Sequence, residues 1–317
     1  MKIALCFMIS GEQVLVKENI WKEWIDVNSD IINIYFHYKD INTIKSNWIK
    51  KYAIPKANVV ETSYFHMVPA YLSILSYAAQ HDLDNQWFSL LTDTCVPIIS
   101  PLKFREMFFK YASFSIIDVR PAWWNVNFHK RANMSRLKKE FHLGNNPWFI
   151  LKREDVARCL MYATANKPLY NLICEGGVAN ESIFSIILHT FNQLDKIKKA
   201  DTHVTDWVRM TTATSPHVFT KGDKADIDFI EKTMHENKYI MFLRKIHNDF
   251  PEEILNDFIW KEDHDEVIRE KRVARILRLE HKMFWEKWIA SCSPVLFIPV
   301  AITMIASAIW YVFCCEP

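Results

Sequence analysis

Glycine is scarce in this chain of 317 residues, with five in all, and neither G-x-G-x-x-G nor G-x-x-x-x-G-K-[ST] occurs. The two common glycine-rich loops that wrap phosphate in backbone N–H groups are therefore excluded. An excess of one charge is also lacking: 39 basic against 37 acidic residues leave +2. No global field of the kind that draws nucleic acid is present, so any phosphate recognition is local. The seven cysteines, at 6, 95, 159, 174, 292, 314 and 315, contain no C-x-x-C and no regular spacing. Free thiols in a reducing compartment are expected, with a disulfide left open. No internal repeat, no low-complexity tract and no convincing D-x-D at a strand end occurs. "DLD" at 82–84 precedes its strand, "TDT" at 92–94 offers one acid, and "WKEDHDEV" near residue 264 lacks the calcium-loop spacing. No metal site is expected.

What the chain has in quantity is hydrophobic residues, 50% of the total, enough to fill a sizeable core. "KIALCFMI", "IINIYFHY", "WFSLLTDTCVPII" and "SFSIIDV" read as strands and "WKEWI" as helix. Strands alternating with helices predict an α/β fold with a mostly parallel central sheet covered by helices. Substrates of such sheets bind where the strands end, so the loops after "YFHY" and "FSLL" are the places of interest. The apolar segment Ile3 to Ile9 is too short to span a bilayer and fits a buried first strand. "HKRANMSRLKKEF" (His129 to Phe141) is the dense basic stretch of the body, either a solvated helix face or a rim attracting a polar or phosphate-bearing substrate.

In "CEGGVANESIFSIILHTF", Asn180 has the character of an N-cap and Phe184, Ile187, Leu188 and Phe191 fall on one helical face. That puts Glu181 in a first helical turn, where an acid complements the helix dipole and is favoured in its ionised form.

At the other end, "PVLFIPVAITMIASAIWYVF", Pro294 to Phe313, is uncharged and about 20 residues long, enough to cross ~30 Å of hydrocarbon. A transmembrane helix is expected there. The flank Arg269 to Trp288 is rich in Lys and Arg, which by the positive-inside rule keeps the body on the cytoplasmic side. That flank reads either as an amphipathic helix with Trp285 and Trp288 at a bilayer surface or as a plain solvated helix. The expected organisation is a domain over 1–255, a basic helical linker over 256–290 and an anchor over 294–313.

Taken in order, several segments resemble the core-2/I-branching β-1,6-N-acetylglucosaminyltransferase family, which includes xylosyltransferase-like members. "KIALCFMISG" resembles its first strand and "IYFHYKD" its histidine-ending strand. "VPAYLSILSYAAQHDLDNQWFSLLTDTCVPIISPLKF" is similar to its A-x-L-x-L-L-x-x-A helix followed by Y/W-F-x-L-L-S-x-x-C/D-x-P-I, and "NNPWFILKREDVARCL" to Q-W-F-x-L-T-R-x-x-A. "ANESIFSIILHTF" stands where the family has P-D-E-x-x-x-x-T-L, with Ala179 and Asn180 replacing Pro and Asp. "FLRKI" stands where it has F-A-x-K-F.

The resemblance implies a GT-A-like glycosyltransferase fold working without a divalent metal or other cofactor, with a UDP-sugar as donor and an acceptor glycan as partner. It implies that Glu181 is the catalytic base of an inverting transfer, most simply of N-acetylglucosamine. Lys245 matches the diphosphate-binding lysine, with Arg244 as a reserve; on a continuous strand their side chains would point apart. His37, Thr92 and Asp93 are expected at the donor pocket, although His37 also fits a satisfied core histidine. Trp207, Lys130 and Arg131 are candidates for the acceptor side, with a core role open for Trp207. The family's second, upstream basic residue aligns with Thr214, leaving Arg209 or Lys221 as substitutes. A xylosyl- or glucuronosyltransferase, or an inactive membrane-tethered glycan-binding protein, are the alternatives.

Overall fold

The computed structural model describes residues 1–291 apart from Ser10 and Ala213. A central sheet has the order β2-β1-β3-β7, formed by β1 (Lys2–Met8), β2 (Ile32–His37), β3 (Asn85–Thr92) and β7 (Ile150–Lys152). β1 runs parallel to both neighbours, whereas β7 closes the edge antiparallel to β3. Ile3 to Phe7 are fully buried, which is why β1 is a continuous apolar run instead of an alternating one.

Helices cover both faces. On one, α1 (Glu18–Asp26) and α4 (Pro101–Tyr111) bring Trp21, Trp24 and Phe104 together. Trp21 meets Phe7 edge-on at 4.9 Å, and Trp24 meets Phe104 at 4.6 Å. The indole N–H groups donate to the Cys95 and Ile99 carbonyls, so these buried rings leave no polar atom unsatisfied. On the other face lie α3 (Val68–His81), α5 (Arg153–Ala165) and α7 (Ile183–Thr190), where Phe184 packs on Phe149 at 4.6 Å. α2 (Asn47–Lys51), α6 (Lys167–Glu175) and α8 (Lys224–Glu236) complete the shell.

Two small sheets supply the remaining site geometry. β4 (Val96–Pro97), β9 (Phe242–Leu243) and β8 (His203–Val204) form one in the order β4-β9-β8; β5 (Val119–Pro121) pairs antiparallel with β6 (Leu143–Asn145) in the other.

Some expectations are corrected. "SFSIIDV" is not a strand over its length: Ile116 makes isolated bridges to Ile150 and Lys198, and β5 begins only at Val119. The Ser115 hydroxyl instead takes the Lys152 N–H and donates to the buried Asp155 carboxylate, so side-chain bonds replace a ladder there. "HKRANMSRLKKEF" is no regular helix; Ala132 and Asn133 adopt left-handed backbone angles within a kinked 3₁₀ stretch. The cysteines at 6, 95, 159 and 174 are free.

α9 (Glu252–His264) spans position 255 and buries Leu255 and Ile259 in the body. α10 (Glu266–Ser291) packs along α4, burying Arg272 and Ile276. The flank is therefore docked on one face and solvated on the rest. The expected transmembrane stretch, 294–313, lies outside the described residues; among those described, no helix is long and apolar enough to cross a membrane.

Candidate active site

β1 and β3 end at one edge of the sheet, and there a cleft of about 590 Å³ opens. Met8 and Ile9 follow from β1, and Thr92, Asp93 and Thr94 from β3. β9 delivers Arg244 and Lys245 into the same cleft, the turn before α7 delivers Asn180 and Glu181, and the 207–216 loop contributes Trp207, Thr214 and Ser215. Six of the expected site residues thus share one cavity: Glu181, Lys245, Arg244, Thr92, Asp93 and Trp207.

Glu181 does not sit in the first turn of α7. It ends a 3₁₀ turn, Ala179–Glu181, and α7 starts at Ile183 after Ser182, so Asn180 is not its N-cap. The helix dipole is consequently not the main influence on this carboxylate. Burial pushes its pKa up, while the guanidinium groups of Arg131 and Arg120 oppose the rise. A carboxylate that is more basic than usual yet held beside cations is suited to accepting a proton near neutral pH.

Three contacts fix it. Arg131 Nη1 donates to Glu181 Oε2 at 2.8 Å, with its guanidinium 5.2 Å from the Trp124 ring. The Asn145 side chain donates to the Asn180 carbonyl at 3.0 Å and accepts the Ser185 N–H at 3.2 Å, tying β6 to the turn and to α7. Beneath them Gly176 lies so close to the 131–136 stretch that an added Cβ would fall 2.1 Å from Asn133 N and 2.5 Å from the Ala132 carbonyl carbon. The Ala132 N–H donates to the Gly177 carbonyl at 3.0 Å. The absence of a side chain at Gly176 therefore lets the arginine-bearing stretch reach the carboxylate.

Arg244 and Lys245 do not diverge as a strand would make them; both line the cleft. Arg244 donates to the hydroxyls of Thr92 and Thr94 and lies 4.1 Å from the Trp148 ring. Lys245 Nζ lies 3.4 Å from Ser215 Oγ. Burial, and next the neighbouring Arg244, lower the pKa of Lys245, with Asp93 acting the other way. Two cations crowded in one cleft favour an anionic ligand that spans them.

The remaining candidates lie elsewhere. His37 is 2% exposed and outside the cleft lining. Its Nε2 accepts the Val60 N–H at 3.1 Å, and burial lowers its pKa to about 4, so it anchors the loop running to Thr62 as a neutral ring. Lys130 is exposed outside the cleft. Arg131 is outside the cleft lining and pairs with Glu181. Arg209 is committed to Asp206 at 2.5 Å and Asp226 at 3.0 Å, which pins the 206–217 loop and leaves it no role as the second phosphate cation. Lys221 is absent from the lining. Trp207 is 41% exposed, which excludes the buried-core reading. Tyr64, across the cleft, donates to the Thr214 carbonyl at 3.4 Å. Among the described residues no three His, Cys, Asp or Glu side chains are grouped as for a metal ion.

Arg120, Asn145 and Trp148 were not singled out by the sequence. Asn145 and Trp148 both stand in the "NNPWFILK" run, a signal that was available. Arg120 reaches the site through the β5–β6 pairing, which no local pattern announces.

A basic carboxylate and a pair of cations facing one cleft at the end of a parallel sheet are the equipment of a group-transfer enzyme. The profile of the Core-2/I-Branching enzymes matches residues 5–257, and the chain belongs to that family of glycosyltransferases. Among curated proteins nothing matches the chain.

Proposed function

We propose that the protein is an inverting, metal-independent glycosyltransferase of GT-A-like type. It moves a sugar, N-acetylglucosamine foremost, from a UDP-sugar to a hydroxyl of an acceptor glycan. The observation that carries this reading is the joint presence of Glu181 and of Arg244 with Lys245 in one cleft. Glu181 takes the proton of the acceptor hydroxyl, and the hydroxyl oxygen bonds to the anomeric carbon. The bond from that carbon to the diphosphate oxygen breaks on the opposite face, its electron pair leaving with UDP, so the product is β-linked. Arg244 and Lys245 meet the charge that develops on the departing diphosphate. Arg244 fills the place of the second cation that Thr214 cannot provide.

Trp207 offers a platform for an acceptor ring at the cleft mouth. The uncharged stretch at 294–313 holds the body to a membrane, on its cytoplasmic side by the basic flank.

The test is UDP release from a panel of UDP-sugars with EDTA present and varied acceptors offered. Release that persists in EDTA and prefers one donor supports the reading. No release from any donor by folded protein contradicts it.

A further inference from the structure

α10 has a definite course over the body. Near its start Arg272 meets Glu106, Glu262 and Asp263, beside Ser100 at the head of α4. Further along, Glu280 shares Arg105 with Asp30, in the turn leading into β2. Towards its end Lys287 lies 3.7 Å from Asp84, the residue just before β3, and Asp84 is also 3.9 Å from the chain's amino group. The helix therefore descends to the edge of the sheet where β1, β2 and β3 begin. The cleft lies at the other edge, where β1 and β3 end.

Among the described residues, this starting edge carries exposed apolar groups. Leu83 is 77% exposed beside Asp84; Phe284 and Ile289, on the same end of α10 as Lys287, and Val27, between α1 and β2, are exposed as well, with Trp285 and Trp288 edge to face at 5.5 Å. The uncharged run begins at Pro294, three residues beyond Ser291. At about 3.6 Å per residue its start is within roughly 11 Å of the end of α10.

We propose that this edge is a lipid-facing surface, so that the cleft opens away from the bilayer. The proposal rests on the membrane reading of 294–313 given above. The two tryptophans have the amphipathic rings that settle at the headgroup level, and Leu83 and Phe284 add apolar side chains that insert beside them. β1 alone, seven residues at about 3.3 Å each, sets the cleft roughly 20 Å above that surface. The acceptor class follows: glycans that extend into the aqueous phase reach Glu181, whereas a short glycolipid headgroup does not.

The experiment uses the full chain with Cys174, Cys292, Cys314 and Cys315 replaced by serine. An environment-sensitive fluorophore is placed at Leu83→Cys or at Val208→Cys, the latter beside Trp207 at the cleft and 87% exposed. Vesicles of phosphatidylcholine with a minor share of phosphatidylserine are used with and without brominated acyl chains. The expected result is at least roughly threefold more quenching at position 83 than at 208. Vesicle binding with quenching equal at the two sites, or greater at 208, overturns the orientation alone. Failure of the full chain to bind vesicles overturns the membrane reading and the orientation together, and neither outcome bears on whether the cleft transfers sugar.

Discussion

Arg131 limits how far burial makes Glu181 more basic. Burial raises the carboxylate's pKa and Arg131 is the first of the two cations that hold it down. In the proposed mechanism Glu181 works in its ionised form, so kcat/KM is expected to fall as pH drops through this pKa. Arg131→Ala removes a lowering influence, the pKa rises, and the acid limb of the profile moves to higher pH. Rates measured from pH 4 to 9 check this; an unmoved limb would show that Arg131 acts on something else. Arg131→Lys, which keeps a cation, is expected to restore most of the limb's position. At the phosphate end Arg244→Ala should weaken UDP by roughly tenfold or more, since a charge-assisted hydrogen bond is worth ~1.5–3 kcal/mol, a loss that calorimetric titration of UDP would register.

At the scale of elements, the Glu181 turn and the Arg131 stretch are held together by the absence of a side chain at Gly176. Its neighbours there are backbone atoms, which cannot swing aside. Gly176→Ala is therefore expected to destabilise the fold by ~1–3 kcal/mol and to lower kcat more than its effect on UDP binding. Urea unfolding and steady-state rates measure the two; a variant as stable and active as the parent would mean the contact is dispensable. α10 depends on a different device, since Arg272 is buried among Glu106, Glu262 and Asp263. Its replacement by Ala leaves three partly exposed carboxylates facing one another, with Arg275 and Lys103 still near two of them, and a loss of ~1–3 kcal/mol is expected. Faster amide exchange across α10 would locate the damage.

At the scale of the whole molecule, the long strands were legible because β1 is a continuous buried apolar run and β2 and β3 are nearly so, interrupted at Asn33 and Ser89. "SFSIIDV" misled because its apolar residues are buried by one-residue bridges and a serine–aspartate bond. Glu181 was legible as a residue through its place in a motif, but its surroundings were not. The Arg131 contact spans 50 positions and depends on a left-handed kink and on Gly176, which no helical period encodes. The same holds for Arg209, whose charge is spent on Asp226, a partner from α8. The matched cations at 244 and 245 were visible as a pair, whereas their shared direction into the cleft was visible only in three dimensions.

The central claim joins one base and two phosphate cations in a single cleft. It is tested most directly by measuring, on the same preparations and in EDTA, both UDP affinity by calorimetry and sugar transfer, for the parent, Glu181→Gln and Arg244→Ala/Lys245→Ala. The account predicts that Glu181→Gln binds UDP as the parent does and loses transfer by roughly 10²–10⁴-fold, while the double variant loses both. A Glu181→Gln protein that transfers at the parental rate, or a double variant that still binds UDP with parental affinity, would contradict it.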